Sequence, residues 1–229
     1  MYKTKSIIGI IPARGGSKGV PNKNIKIVGG KPLIAWTIEE SKKSKYLDRL
    51  ILSSDSKQII NVANRFGCET PFVRPIELAQ DNTSGMAPVF HALEVLSGKY
   101  DYVVLLQPTS PLRKREDIDR CIEKCIDHDW PACVTVTEAQ KSPYWMYHLN
   151  DGDDRMIPVM KMEKRIGRRQ ELPKVYIVNG AVYVAHVEWL MNRKDFITDE
   201  THCLIMPAER SVDIDNDIDL KFANFLFQN

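Results

Sequence analysis

The stretch IIPARGGSKGVPNKN, residues Ile10–Asn24, joins an apolar strand to a glycine-rich loop crowded with cations. The run Ile7–Ile11 is apolar at consecutive positions, which fits a strand buried on both faces, and Pro12 ends it. The loop therefore leaves the carboxyl end of a sheet. Gly15, Gly16 and Gly19 allow tight turning and a close approach of backbone N–H groups to an anion. Arg14, Lys18, Lys23 and, just beyond, Lys26 supply charge for several negative groups at once. A polyphosphate is the expected guest; a basic surface loop without a ligand is the alternative. Two common phosphate motifs are excluded. Gly30-Lys31 is followed by Pro32 rather than by Ser or Thr, so there is no P-loop, and the spacing of Gly15, Gly16 and Gly19 does not make the dinucleotide fingerprint.

Outward from this loop, strand-like and helix-like runs alternate over the first two thirds of the chain. Pro32 suits the first turn of a helix reaching about Lys43, and Leu50–Ser53 reads as the next strand. Asp55 is placed to cap a helix closed by Gly67, and a short strand is expected around Pro71–Val73. A helix from about Met86 to Leu96, a central strand Tyr102–Leu106, a helix Glu116–His128 and a strand Ala132–Thr137 follow. This βαβ repetition predicts an α/β fold with a mostly parallel, three-layer sheet flanked by helices. The alternation breaks between Gln140 and Val175, where Pro143, Pro158 and Pro173 punctuate a stretch rich in aromatic, Met, Lys and Arg residues. That stretch is expected to project, either as a solvated charged face or as an arm whose Tyr144, Trp145, Met146, Tyr147 and Met162 pack on a second subunit. The chain returns through strands Tyr176–Val184 and Leu204–Met206 to a last helix. The expected organisation is one domain, residues 1–229, with 140–175 as its arm.

Composition limits the possible partners. With 229 residues and 43% hydrophobic content a sizeable core is available. The 32 basic against 30 acidic residues give no global attraction to nucleic acid or to an anionic membrane. No stretch approaches the roughly 18 apolar residues of a membrane span, so a soluble, cytoplasmic protein is expected. The five cysteines contain no CxxC pair and are expected to be buried thiols, Cys121 and Cys125 on one helix face. No histidine pair has metal-binding spacing.

Three strings stand where ligand-contacting turns belong, beyond the carboxyl ends of strands. Gln107-Pro-Thr-Ser-Pro-Leu-Arg113 is either such a turn or a plain strand-to-helix connection. In Asp213-Ile-Asp-Asn-Asp-Ile-Asp219, extended geometry would point Asp213 and Asp215 the same way with Val212 and Ile214 toward the core. Two hard carboxylates on one face suit Mg²⁺, while Asp217 and Asp219 are assigned to the start of the last helix. In Asn179-Gly-Ala-Val-Tyr183, Asn179 and Tyr183 either read a polar substrate or are a satisfied buried amide and an ordinary strand tyrosine. Arg74 is either a ligand contact or a surface ion pair.

Taken in order, IIPARGGSKGVPNKN, VRPIELAQD, LLQPTSPLR, RQELPKVYIVNGAVY and VDIDNDIDL resemble the acylneuraminate cytidylyltransferases, the CMP-sialic acid synthetases, over nearly the whole chain. Enzymes acting on 3-deoxy-manno-octulosonate resemble it in the first residues only. The resemblance implies a nucleotide-diphospho-sugar transferase-like sandwich that transfers CMP from CTP to the anomeric hydroxyl of a nonulosonic acid, releasing pyrophosphate with Mg²⁺ present, or Mn²⁺ in its place. It further implies that Arg14, Gly15, Gly16, Ser17, Lys18 and Lys23 meet the triphosphate, Lys23 being the foremost catalytic candidate, with Arg14, Asp213 and Asp215 beside it. Asn24 and Arg74 would meet the nucleotide's sugar or base, and Asp213 with Asp215 would hold the metal. Gln107, Asn179 and Tyr183 would contact the acceptor sugar, joined by Arg169 and Lys141 from a partner's arm in a homodimer with shared active sites. The rival expectations are a non-catalytic nucleotide-binding subunit or sensor on the same fold, and a nucleotidyltransferase for another sugar acid or a sugar-1-phosphate.

Overall fold

A computed structural model of the chain describes residues 1–17, 19–96, 98–150, 152–161 and 166–228. Its opening strand, β1 (Ile7–Pro12), carries Ile7, Ile8, Ile10 and Ile11 fully out of solvent. Each such side chain contributes roughly 1.5–3 kcal/mol relative to exposure, so the strand that launches the glycine loop is firmly held. The hairpin β2 (Ile27–Val28) and β3 (Lys31–Pro32) leads into α1 (Leu33–Lys42), for which Pro32 is the residue before the first turn. β4 (Arg49–Ser53), α2 (Lys57–Arg65), α3 (Ala87–Val95), β5 (Tyr102–Leu105), α4 (Arg115–Asp127) and β6 (Ala132–Glu138) follow the expected alternation. A small hairpin, β7 (Tyr147–Leu149) with β8 (Met156–Pro158), lies in the arm. β9 (Tyr176–His186), α5 (Val187–Arg193), β10 (Thr201–Ile205) and α6 (Asp217–Gln228) complete the body.

Six strands form one sheet in the order β10-β6-β9-β5-β1-β4. β4, β1 and β5 run parallel, as do β6 and β10, and β9 is antiparallel to both of its neighbours. The sheet is thus mostly parallel. Apolar faces of α1, α2 and α4 cover one side through Ile34, Ile38, Ile59, Ala63, Ile118 and Ile122. On the other side Val89 and Ala92 of α3 pack with Leu190 of α5 and Phe196. The result is the three-layer arrangement that the alternation predicts. A third cluster joins Val28 and Leu33 to Ile214, Leu220 and Ala223, which ties the end of the chain to the segment after the glycine loop.

Two local expectations are corrected. Pro71–Val73 is not a strand: only Glu69 bridges to Ile51, and Arg74 N–H reaches the Ser54 carbonyl at 2.8 Å. Pro71 and Pro75, on either side, have no N–H to give to a ladder. Asp55 does not cap α2; the Ser56 side chain accepts from Ile59 N–H instead, which frees Asp55 for other contacts. Gly67 closes that helix in the left-handed conformation (φ 72°), as expected. Cys68, Cys121, Cys125 and Cys133 are buried free thiols, Cys121 and Cys125 on the packed face of α4, while Cys203 is exposed.

Beyond the sheet, β6 and β9 continue as a paired ribbon, Glu138 opposite Tyr176, that carries the arm. Trp145, Met146, Leu149, Met156, Ile157, Val159 and Met160 are exposed along it. Met162, Lys164 and Arg165 of its sequence lie outside the described residues.

Candidate active site at the carboxyl ends of the strands

A cleft of about 430 Å³ opens where β1, β4 and β5 end. The opening loop contributes Arg14, Ser17, Gly19, Lys23 and Asn24, the connection between α2 and α3 contributes Arg74 and residues from Leu78 to Gly85, and Gln107, Thr109 and Asp215 complete the wall. Lys18 lies outside the described residues.

The glycines of the loop differ in what they make room for. A Cβ at Gly19 would stand 2.0 Å from the Asp215 carbonyl oxygen, so this position admits no side chain without moving backbone. A Cβ at Gly15 would meet Ser56 Cβ at 3.1 Å and Asp55 Oδ2 at 3.3 Å, and the Gly15 N–H donates to Asp55 Oδ1 at 3.0 Å. That N–H, expected to face phosphate, is therefore committed to a carboxylate. Gly16 has open space around it.

Each described cation of the loop has a carboxylate beside it. Arg14 Nη1 lies 3.0 Å from Asp81 Oδ1 and donates to the Gln80 carbonyl at 3.1 Å. Lys26 pairs with Asp217 at 3.4 Å. The Lys23 ammonium, mostly buried, donates to the Ile214 carbonyl at 2.6 Å and to Asp215 Oδ1 at 3.3 Å. Lys23 and the acidic segment, 191 residues apart, therefore meet in one place. Asn24 is buried and donates to the Arg14 carbonyl at 3.1 Å, bracing the loop from within.

Arg74 is 3% exposed, and its Nε and Nη2 are buried with no hydrogen-bond partner among the described residues. Its nearest carboxylate is Asp55, 3.6 Å away. Burial holds its guanidinium below the ordinary value, with Asp55 opposing that effect and Arg14 adding to it. Of the two roles open to it, a surface ion pair is thus excluded by its depth.

In the acidic segment Ile214 faces the core and Asp215 is exposed and lines the cleft, whereas Asp213, expected to project with it, is half-buried and does not line the cleft. Burial pushes the Asp213 carboxyl above its usual range, the charge of Asp215 adds to this, and a hydrogen bond from Thr109 pulls the other way. Asp213 Oδ1 is buried without a partner among the described residues. Asp219 belongs to the helix start, accepting from the N–H groups of Asp215 (2.9 Å) and Asn216 (3.0 Å).

Gln107, Ser110 and Asp213 converge on Gly180, whose φ of 73° and crowded surroundings exclude a side chain: a Cβ there would lie 2.9 Å from Gln107 Oε1 and 3.3 Å from Asp213 Oδ2. Tyr183 lies near Asp213 and Asp195, and its hydroxyl is pushed up to about 12, chiefly by burial. Asn179 takes the structural one of its two roles, a correction to the expected sugar contact. Its amide accepts from Thr135 Oγ1 (2.7 Å) and Ala181 N–H (3.2 Å) and donates to Ser211 Oγ (2.9 Å) and Met206 Sδ (3.4 Å). Arg113 likewise turns inward: it is buried, with Nη1 on the carbonyls of Ala181 (2.7 Å) and Gln107 (3.2 Å). Arg169 and Lys141 do not line the cleft. Arg169 lines a second cavity of about 380 Å³ at the root of the arm, with Glu138, Ser142 and Lys174, and Lys141 is exposed nearby. The residues that sequence reasoning missed are Asp55, Asp81 and Thr109. The one available signal was the position of Asp55 directly beyond β4.

Residues 8–198 match the family model described as Cytidylyltransferase. The chain belongs to the cytidylyltransferase family. This cytidylyltransferase is 37% identical over 224 residues to a pseudaminic acid cytidylyltransferase of Campylobacter jejuni, a match covering 96% of this chain and 95% of that one. It is 33% identical to a CMP-N,N'-diacetyllegionaminic acid synthase of Legionella pneumophila, across 97% and 96% of the two chains. Among solved structures, a CMP:2-keto-3-deoxy-manno-octonic acid synthetase complexed with CTP superposes with a TM-score of 0.73, covering 97% of this chain and 98% of that one at 16% identity, which establishes the shared fold. Among the described residues of this cytidylyltransferase, no helix is long and apolar enough to cross a membrane, and no three His, Cys, Asp or Glu side chains form a metal cluster. A divalent cation nevertheless suits the acid pair: Mg²⁺ commonly takes one or two carboxylates with phosphate oxygens and water, and the unpartnered Asp213 Oδ1 is a hard donor without an occupant among the protein's own groups.

Proposed function

We propose that this chain transfers CMP from CTP to the anomeric hydroxyl of a nonulosonic acid. The acceptor oxygen bonds to the α-phosphorus as the bond to pyrophosphate breaks. The observation that carries this reading is the junction of Lys23 with the acidic segment inside a cleft that Arg14 and Arg74 also line. Such a junction brings a cation and the Asp215 carboxylate to bear on one polyphosphate, with Asp213 two residues away on the same segment. Phosphoryl-type transfer leaves the protein little covalent work, so positioning and charge supply most of the rate.

In this reading Arg14, Ser17, Lys18 and Lys23 hold the triphosphate, and Lys23, already held at the cleft, meets charge growing on the leaving group. Asp213 and Asp215 hold Mg²⁺, with Mn²⁺ as a substitute. When bound, the ion withdraws charge from phosphate oxygens. Asn24 and Arg74 face the nucleoside, and Gln107 and Tyr183 face the acceptor sugar. Because Arg169 and Lys141 stand outside the cleft of their own chain, their contact with an acceptor carboxylate requires a second copy, and the exposed apolar side chains of the arm supply a surface for it.

The experiment is pyrophosphate release from CTP across N-acetylneuraminate, legionaminate and pseudaminate, with Mg²⁺ and with a chelator. Release that depends on both a nonulosonic acid and the divalent ion is expected. CTP binding without turnover on any sugar acid would instead make the chain a nucleotide-binding subunit.

A further inference from the structure

Asp55 joins two walls of the cleft. It stands just beyond β4, 11% exposed, where one carboxylate oxygen, Oδ1, accepts the Gly15 N–H at 3.0 Å and faces Arg74 Nη2 at 3.6 Å. Ser56 Cβ and Asp55 Oδ2 crowd Gly15 from the same side, which fixes the spacing between the turn after β4 and the glycine loop. A guanidinium as deep as Arg74 needs an opposing anion. At 3.6 Å Asp55 balances the charge without closing a hydrogen bond; Nε and Nη2 are buried and without a partner among the described residues, which leaves Nη1 to face the cleft that Arg74 lines. A planar guanidinium held on its inner edge, with Nη1 open to the cleft, suits a pair of adjacent acceptors.

We propose that Asp55 is a positioning residue for base selection: by pinning Gly15 and holding the inner edge of the Arg74 guanidinium, it presents Nη1 to the carbonyl oxygen and unprotonated ring nitrogen of cytosine. Uracil presents a protonated ring nitrogen at that position, so donor would meet donor. The inference rests on the reading of Arg74 as a nucleoside contact.

The test is the ratio of CTP to UTP affinity, measured by titration calorimetry on the full chain. Asp55→Asn keeps nearly the same shape and an acceptor for the Gly15 N–H but removes the charge. Loss of a negative charge draws both triphosphates alike and cancels in the ratio. The ratio is expected to fall at least about tenfold in Asp55→Asn and in Arg74→Lys, with the double variant no worse than Arg74→Lys alone. A ratio kept within about twofold by Asp55→Asn while Arg74→Lys lowers it overturns the role of Asp55 and leaves that of Arg74 standing. Independent, additive losses overturn the coupling. No preference for CTP in the wild type, or no change in either variant, overturns both. Should Asp55→Asn not fold, Gly15→Ala pushes on the same carboxylate with its charge intact and must also lower the ratio; an unchanged ratio there overturns the proposal.

Discussion

In the cleft, cations are matched by carboxylates: Arg74 is 3% exposed opposite Asp55, Lys23 rests on Asp215, and Arg14 on Asp81. In the arm the reverse holds. Leu149 is 67% exposed and Met156 61%, on a hairpin whose pairing is internal to itself. The cleft thus has its polar groups set in place by the protein before a ligand arrives, whereas the arm leaves apolar area uncovered. Preorganised charge suits catalysis, and uncovered apolar area suits association. The two regions are joined through β9, which carries Gly180 against Gln107 of the cleft wall and begins at Tyr176 in the ribbon of the arm.

The sharpest way to break this contrast is Lys23→Ala. Turnover is expected to fall on the order of 10²- to 10³-fold, the scale for one preorganised charge-stabilising donor, as measured by pyrophosphate release. A variant within a few fold of wild type would remove Lys23 from the chemistry. Next comes Gly19→Ala, in which a 2.0 Å approach to the Asp215 carbonyl forces backbone to move. A loss of about 1–3 kcal/mol is expected in chemical denaturation, against less than about 0.5 kcal/mol for Gly16→Ala in its open surroundings. Equal effects at the two glycines would mean that the loop and the acidic segment do not touch.

On the arm, Leu149→Asp with Ile157→Asp is expected to weaken self-association at least about tenfold in sedimentation while leaving monomer stability nearly unchanged. A wild type that is monomeric at every concentration would leave the exposed apolar surface without its second copy. The smallest effect is expected at Asp213, measured in chelator. Its carboxyl is raised in the folded state, so the folded protein is favoured while the group is protonated, and this contribution is lost as pH rises from the unfolded carboxylate value through the raised one. Asp213→Asn should therefore raise Tm modestly at neutral pH, with the gain vanishing toward acid. No gain at neutral pH would mean that the buried carboxylate is not under electrostatic stress.

The architecture was legible because hydrophobic period reports burial directly. The unbroken Ile7–Ile11 run and the helical spacing in α2 and α4 follow from which faces meet the core. The junction of loop and acidic segment was legible only as separate strings, since nothing local in Gly19 states that Asp215 lies against it. Asp55 was misread for a related reason: a carboxylate before a helix is a normal cap, and only the approach of Gly15 and Arg74 from distant segments gives it another partner. The strand expected at Pro71–Val73 failed on donors, because two prolines outweigh the apolar pattern between them. Asn179 illustrates the remaining ambiguity, for a buried amide looks the same in sequence whether its partners are a sugar or Thr135 and Ser211.

The contact between Lys23 and the Ile214 carbonyl spans 191 residues. At roughly 5–20 residues per second of synthesis, about 10 to 40 s elapse between the emergence of the two ends. During that interval a ribosome-bound chain can display its opening strand and cationic turn, but the acids that would complete the pocket have yet to be made. Nucleotide captured early would meet an unfinished vessel, because Asp215 and the Ile214 carbonyl come from a segment made much later than the loop.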